Sequence, residues 1–225
     1  LRKELAMSQY NDSWNVLPTF STPLANTILT NPNTQEVIEC LDEYKFATIP
    51  SAEHSSSEKS MMSTSRCVLD DFPTLKEQLV EVSGDYISNI LLYDTQVRIT
   101  TSWFTKLEQG GYSHLHNHTN SWFSGIFYFD DYDDESGGIE FSTFQSGFEV
   151  MTKDSNVYNS TNWGFTPTKN MLLLFPSKLI HRIMPHKSSK TRYSLAFNMV
   201  PAGVIGNGDS LLDMSVGGNE RYYRV

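Results

Sequence analysis

The sequence predicts a mainly β chain with flanking helices, and three observations carry that reading. From Val97 onward the apolar pattern has a period of two. Several short apolar runs follow, separated by turn-rich segments with no helical stretch between them. The two stretches with a helical period both lie before Val97. Many short strands without intervening helices point to a β-sandwich or a barrel. With 225 residues, 39% of them hydrophobic, the chain has the material for one packed domain. We therefore expect a single domain over 1–225: a helical, buttressing part at 1–95, a β core at 96–200 and a tail at 201–225.

Residues 34–46 place Val37, Ile38, Leu41 and Tyr44 on one helical face, with Asn33 or Thr34 as N-cap. The polar stretch 51–65 has no usable period and reads as a mobile loop. A second helix is expected over 73–92. Asp71 is placed to cap it, Pro73 sits in its first turn, and Leu75, Leu79, Val82, Tyr86 and Ile90 recur at helical spacing. Their apolar stripes need a partner, and a sheet is the natural one. In the β part, Val97, Ile99, Thr101, Trp103 and Thr105 alternate with Arg98, Thr100, Ser102 and Phe104. Further strands are expected at 122–130, 138–144, 170–176 and 191–199. The stretch 145–169 is long and polar but carries Phe148, Tyr158, Trp163 and Phe165, as a binding loop or cover would.

Composition narrows the function. Seventeen basic against twenty-six acidic residues give a net charge of −9, which argues against a nucleic-acid partner, because such proteins neutralise phosphates. No apolar run approaches the ~20 residues that span a bilayer, so no membrane partner is expected. Two cysteines, Cys40 and Cys67, cannot form a disulfide scaffold, and a reduced, cytoplasmic setting is the simpler reading. The chain begins at Leu1 rather than Met, which leaves a removed leader open. Three Asn-x-Ser/Thr sequons, at Asn11, Asn117 and Asn159, are expected by chance in so Asn- and Ser-rich a chain.

The histidines are clustered. His114, His116 and His118 fall within five residues, and on an extended strand positions i, i+2 and i+4 point to one side. Imidazole is the commonest metal ligand, so the spacing suits a metal site; a solvent-facing strand with incidental histidines is the alternative. His181 follows an apolar strand and a tight turn, and Arg192 opens the last strand. A mononuclear iron site needs two or three neutral nitrogen donors, often a carboxylate, and open positions for cosubstrate and O₂. A dicarboxylate cosubstrate would also need a cation, and arginine offers a planar fork for it.

At these residues the chain resembles the 2-oxoglutarate- and Fe(II)-dependent oxygenases, closest to a small group common in bacteria and phages. That group's pattern is met by HNHTNSWFSGIFY at 116–128, GGIEF at 137–141, LLLFPSKLIH at 172–181 and RYSLAFN at 192–198. The upstream pair at 102–103 and QGGY at 109–112 also fit. The resemblance covers most of the chain and implies a double-stranded β-helix, or jelly-roll, core buttressed by helices. It further implies Fe(II), 2-oxoglutarate and O₂ as metal and cosubstrates. His116 and His181 would be iron ligands, and Arg192 would pair with the distal carboxylate of 2-oxoglutarate. Tyr128 would hydrogen-bond the same carboxylate, with Ser194 and Asn198 on the same face of the last strand.

His118 stands where the wider superfamily has the Asp of its HxD motif. Three readings follow: a three-His site, a supporting role for His118 with water or chloride in its place, or a carboxylate such as Glu140 entering from elsewhere. The first is preferred, because a neutral His at that position reaches where the Asp would. His114, Asn120 and Trp103 are candidates for supporting or substrate-facing roles.

The leading expectation is thus an oxygenase that hydroxylates an unactivated C–H bond of a small-molecule or peptidyl substrate, with release of succinate and CO₂. A cupin-type dioxygenase or isomerase using three histidines without an oxo acid is the second reading. It is weakened because TNSWF, after His118, lacks the acid that cupin motifs carry. A non-catalytic jelly-roll binding module is the third. Asp130, Asp131, Asp133, Asp134 and Glu135 read as a solvated hairpin turn rather than a Ca²⁺ site, since the calcium-loop spacing is missing. Asn170 takes a turn position where relatives favour Gly, which Asn tolerates.

Overall fold

The structure, a computed structural model, describes residues 19–48, 59–143 and 150–215. It is mainly β with flanking helices, as expected. In the first part, β1 (Ala25–Ile28) precedes helix α1 (Thr34–Glu39), followed by β2 (Phe46–Thr48), β3 (Ser60–Ser63) and helix α2 (Pro73–Asp85). Then come β4 (Gln96–Leu107), β5 (Phe123–Tyr128), β6 (Ile139–Ser142) and β7 (Asn162–Phe165). Last are β8 (Met171–Pro176), β9 (His181–Ile183), β10 (Arg192–Ala202), β11 (Val204–Ile205) and β12 (Leu212–Asp213). Among the described residues no helix is long and apolar enough to cross a membrane.

Seven strands form one antiparallel sheet in the order β1-β8-β5-β10-β4-β3-β2, and three form a smaller sheet, β7-β6-β9. The large sheet has two apolar faces, because side chains alternate along each strand. On one face Phe104, Phe127, Leu172, Leu174, Leu195, Phe197 and Met199 pack with Leu75, Leu79 and Ile87 of the α2 region. On the other, Trp103, Ile126, Tyr128, Leu173 and Phe175 pack with Ile139 and Phe141 of β6. Two sheets facing each other around this second core, with helices behind the larger one, make the jelly roll. β8 is buried from Met171 through Phe175, which explains why it reads as an unbroken apolar run.

Several expectations are corrected. The helix expected over 34–46 stops at Glu39, and a 3₁₀ turn at Leu41–Glu43 leads into β2, because β-prone residues pair with β3 there. Asp71 does not cap α2: it ends a 3₁₀ turn, and Phe72 takes the cap position ahead of Pro73. The helix beyond Asp85 widens into a π-turn at Tyr86–Ile90. Within the stretch read as a loop, Ser60–Ser63 is a strand paired to β4, while 51–58 lies outside the described residues. The stretch 145–169 contains β7, whose Trp163 and Phe165 pair with β6; Phe148 lies outside the described residues. The alternation in β4 is also broken. Asn198 pairs with Thr101 but Met199 with Ile99, so Thr100 is an extra residue. This bulge turns Val97 and Ile99 to the helical face while Trp103 points into the inner core.

Two backbone positions depend on residue type. Asn170 has φ of 65°, the left-handed geometry expected for the turn into β8. Gly125 faces Phe197 across β5 and β10, and a Cβ there would come within 2.2 Å of the ring.

Candidate metal centre

The three histidines do meet, though not as the sequence spacing suggested. Residues 108–122 form no regular strand, so His114, His116 and His118 do not share a strand face. Their loop is tied to the β8–β9 connection instead. His116 and His181 exchange backbone hydrogen bonds in both directions, each 2.9 Å, and the His118 N–H donates to the Ser177 carbonyl at 2.9 Å. These bonds bring one ligand atom from each of His116, His118 and His181 within 4.8 Å of one another. His114 falls outside the cluster, with its ring against Tyr112.

The ring environment suits metal binding. His116 Nδ1–H donates to the His114 carbonyl at 2.8 Å, and His181 Nδ1–H to the Leu179 carbonyl at 2.9 Å. Each bond fixes the tautomer that leaves the Nε2 lone pair free, the arrangement usual for metal-binding histidine. His181 is buried beside the rings of Phe175 and Phe141. Burial, and then the charge on His116, lower His181 to about 3 and His118 to about 4. Both imidazoles are therefore neutral near pH 7, as ligation requires. Three neutral imidazole donors of this kind would suit a borderline cation such as Fe(II). Glu140 does not enter: it lies on the β6 face opposite Phe141 and binds Arg182 at 2.7 Å.

The cluster opens into a cavity of about 610 Å³ whose walls include Trp103, Ile126, Phe175 and Ala196 of the inner face. Further along that face lie the residues proposed for the oxo acid. Arg192, Ser194, Ala196 and Asn198 alternate inward on β10, opposite Leu107, Thr105, Trp103 and Thr101 of β4. Arg192 is 2% exposed, and its Nε, Nη1 and Nη2 have no hydrogen-bond partner. The guanidinium lies 5.3 Å from the Tyr128 ring centre, and the buried Tyr128 hydroxyl is also unpartnered. Burial pushes the Tyr128 phenol up, against the pull of Arg192, so it stays a proton donor. A buried guanidinium without a carboxylate partner, beside a buried phenol, has the chemistry to hold a carboxylate. Neither group lines the open cavity, although Leu107, the cross-strand partner of Arg192, does.

Ser194 Oγ and Thr105 Oγ1 are 2.6 Å apart. The Asn198 side chain accepts from Ser124 Oγ at 2.8 Å and donates to Thr101 Oγ1 at 3.2 Å, so it braces the cavity wall. Trp103 stands beside His118, with ring centres 5.7 Å apart. Asn120 occupies a left-handed turn (φ 55°) and is exposed outside the cavity lining. Sequence reasoning missed Ser177, whose carbonyl anchors His118 and whose hydroxyl joins Ser121 and Ser124; its place in FPS was the available signal. It also missed Tyr112, although that residue closes the QGGY motif, and Arg66, for which the chain carries no local signal.

With this geometry in hand, the likeness to known proteins becomes informative. Residues 101–198 match the family described as "Putative 2OG-Fe(II) oxygenase". No curated protein matches. Among solved structures, HygX from Streptomyces hygroscopicus, with nickel, 2-oxoglutarate and hygromycin B bound, superposes with a TM-score of 0.56 at 11% identity, over 80% of this chain and 83% of that one. A prolyl hydroxylase from Trichoplax adhaerens, in complex with a hypoxia inducible factor peptide fragment, gives 0.56 at 14%, covering 80% and 84%. The epimerase SnoN from nogalamycin biosynthesis gives 0.59 at 9%, covering 81% and 80%. At such identities the superpositions speak for the fold alone. The segment that matches this oxygenase family runs from Thr101 in β4 to Asn198 in β10 and holds all three histidines. The protein is accordingly an oxidoreductase of the 2-oxoglutarate-dependent class.

Proposed function

We propose that His116, His118 and His181 hold Fe(II), that Arg192 and Tyr128 hold the distal carboxylate of 2-oxoglutarate, and that the enzyme hydroxylates a C–H bond of a small-molecule or peptidyl substrate. The observation that carries this reading is Arg192: a guanidinium 2% exposed, with all three nitrogens unpartnered, in the fold that carries a histidine cluster. A buried charge left unpaired costs several kcal/mol, so a site that keeps one is built for an anion. A cupin-type chemistry without an oxo acid leaves that cation unexplained.

When bound, Fe(II) and 2-oxoglutarate supply the oxidising power: O₂ is split between the oxo acid, which leaves as succinate and CO₂, and the substrate C–H bond. The chain's own residues orient and shield. Arg192 presents a planar fork to one carboxylate, and Tyr128 adds a hydroxyl donor. Ser194 supplies a second hydroxyl on the same face, already bonded to Thr105. Carbonyls of His114 and Leu179 hold two imidazoles with Nε2 toward the metal position. Trp103, Ile126 and Phe175 keep the wall apolar and limit water.

The first part contributes β1, β2 and β3 to the sheet that carries the site, which supports one catalytic domain over the chain. The free cysteines and the acidic charge favour a cytoplasmic enzyme whose substrate is not nucleic acid. Anaerobic titration of the Fe(II)-loaded protein with 2-oxoglutarate tests the reading, followed by a screen for substrate-dependent succinate formation. A protein that binds Fe(II) but not 2-oxoglutarate would overturn it.

A further inference from the structure

A second arginine faces the cavity. Arg66 follows β3, and its own carbonyl accepts the Ser102 N–H at 2.8 Å, which pins it beside Thr101 and Trp103, two of the four β4 residues that line the cavity. Among the described lining residues there is no Asp, Glu or Lys, although the chain carries twenty-six acidic residues. Among those described residues Arg66 is the lining side chain with a permanent charge. No described carboxylate pairs with it.

Its donors are divided in an informative way. Nη1 donates to the Ser63 carbonyl and, at 3.5 Å, to the Ser65 carbonyl, while Nη2 touches Met62 Sδ at 3.2 Å. Backbone carbonyls hold the guanidinium in place without neutralising it. The Nε–H and the Nη2–H beside it make the side-on fork of arginine, which matches one carboxylate. Around it the lining is largely apolar: Met61, Met62, Leu107, Leu115 and Ile183. Partial burial, unrelieved by any acid, pulls Arg66 below its ordinary pKa, in keeping with a charge awaiting a partner.

We propose that Arg66 is a specificity-determining residue that binds a carboxylate of the substrate, and that the substrate is a monoanionic molecule with an apolar body. This rests on the oxygenase reading above, because it takes the cavity beside the histidines as the substrate site. A single fork with Nη1 already committed matches one carboxylate better than a dianionic phosphate.

The test uses Fe(II)-loaded protein under anaerobic conditions, with and without 2-oxoglutarate. The probes are N-acetyl amino acids and aryl-alkanoic acids, each beside its own primary amide. Acids are expected to bind the wild type roughly tenfold or more tightly than their amides, the value of one charge-assisted pair. Arg66→Gln removes that preference and leaves 2-oxoglutarate affinity unchanged. Arg66→Lys keeps a weaker preference, and it serves as the test if the Gln variant does not fold. Equal binding of acids and amides, no binding of any acid, or a preference that survives Arg66→Gln overturns the assignment. Failure of 2-oxoglutarate to bind the wild type instead overturns the oxygenase reading, and the acid–amide comparison without 2-oxoglutarate is read separately.

Discussion

Replacing Arg192 by Met should stabilise the ligand-free protein while destroying its affinity for 2-oxoglutarate. Met keeps most of the side-chain volume, so packing between the sheets is largely preserved. What it removes is a buried cation with no hydrogen-bond partner on any nitrogen. Burying an unpaired ion costs several kcal/mol after relaxation. The Tyr128 ring, 5.3 Å from the guanidinium carbon, returns about 1–2 kcal/mol of that through its electron-rich face. The difference leaves a net gain of about 2 kcal/mol for the ligand-free variant. For a chain of this size that is a rise of roughly 4–8 °C in Tm. The cost falls on binding: loss of a charge-assisted fork weakens 2-oxoglutarate by roughly ten- to a hundredfold or more. Saturating 2-oxoglutarate with metal should therefore raise the wild type strongly and the variant little. Thermal unfolding with and without ligand, together with anaerobic calorimetry, reads both halves. A variant that is less stable without ligand and still binds 2-oxoglutarate normally would show that the charge of Arg192 is already compensated within the protein, and the argument for a carboxylate site would fail.

Other predictions follow from the same geometry. His181→Ala should lose bound Fe(II) or Co(II) in metal analysis, and His118→Ala should lose it comparably if three imidazoles ligate; undiminished metal in either variant removes that residue from the ligand set. His181 and His118 lie near 3 and 4 when folded against about 6.5 unfolded, so the unfolded chain binds more protons in between. Stability of the metal-free protein is then intact above about pH 6.5 and falls as pH drops toward 4; urea unfolding across that range should show the slope, and His181→Ala should flatten it. Gly125→Ala forces a methyl into the Phe197 ring and should cost about 1–3 kcal/mol in urea unfolding. Asn170→Ala, at φ 65°, should cost about 1 kcal/mol, with Asn170→Gly at least as stable as the wild type.

Chain chemistry alone determined a good deal. The period-two runs located β4, β5, β6, β8 and β10 to within a few residues, because strands between two apolar layers must alternate or be apolar throughout. His116, His118, His181 and Arg192 were legible as candidates because neutral nitrogen donors and a fork-shaped cation are what an iron site with an oxo acid needs, whereas Tyr128 came only from the family resemblance. Their assembly was decided by tertiary structure. The histidines converge through reciprocal backbone bonds between His116 and His181 across more than sixty residues of chain, and not through a shared strand face. The bulge at Thr100 redirects half of β4, and short strands such as β2 and β3 exist only because an edge of the large sheet was there to pair with. Arg66 shows the limit most plainly. Nothing around it in the chain marks it, and its position at the cavity comes from a hydrogen bond to Ser102, a residue distant in sequence. Local patterns report what a residue prefers; which distant backbone it meets depends on how the sheets close.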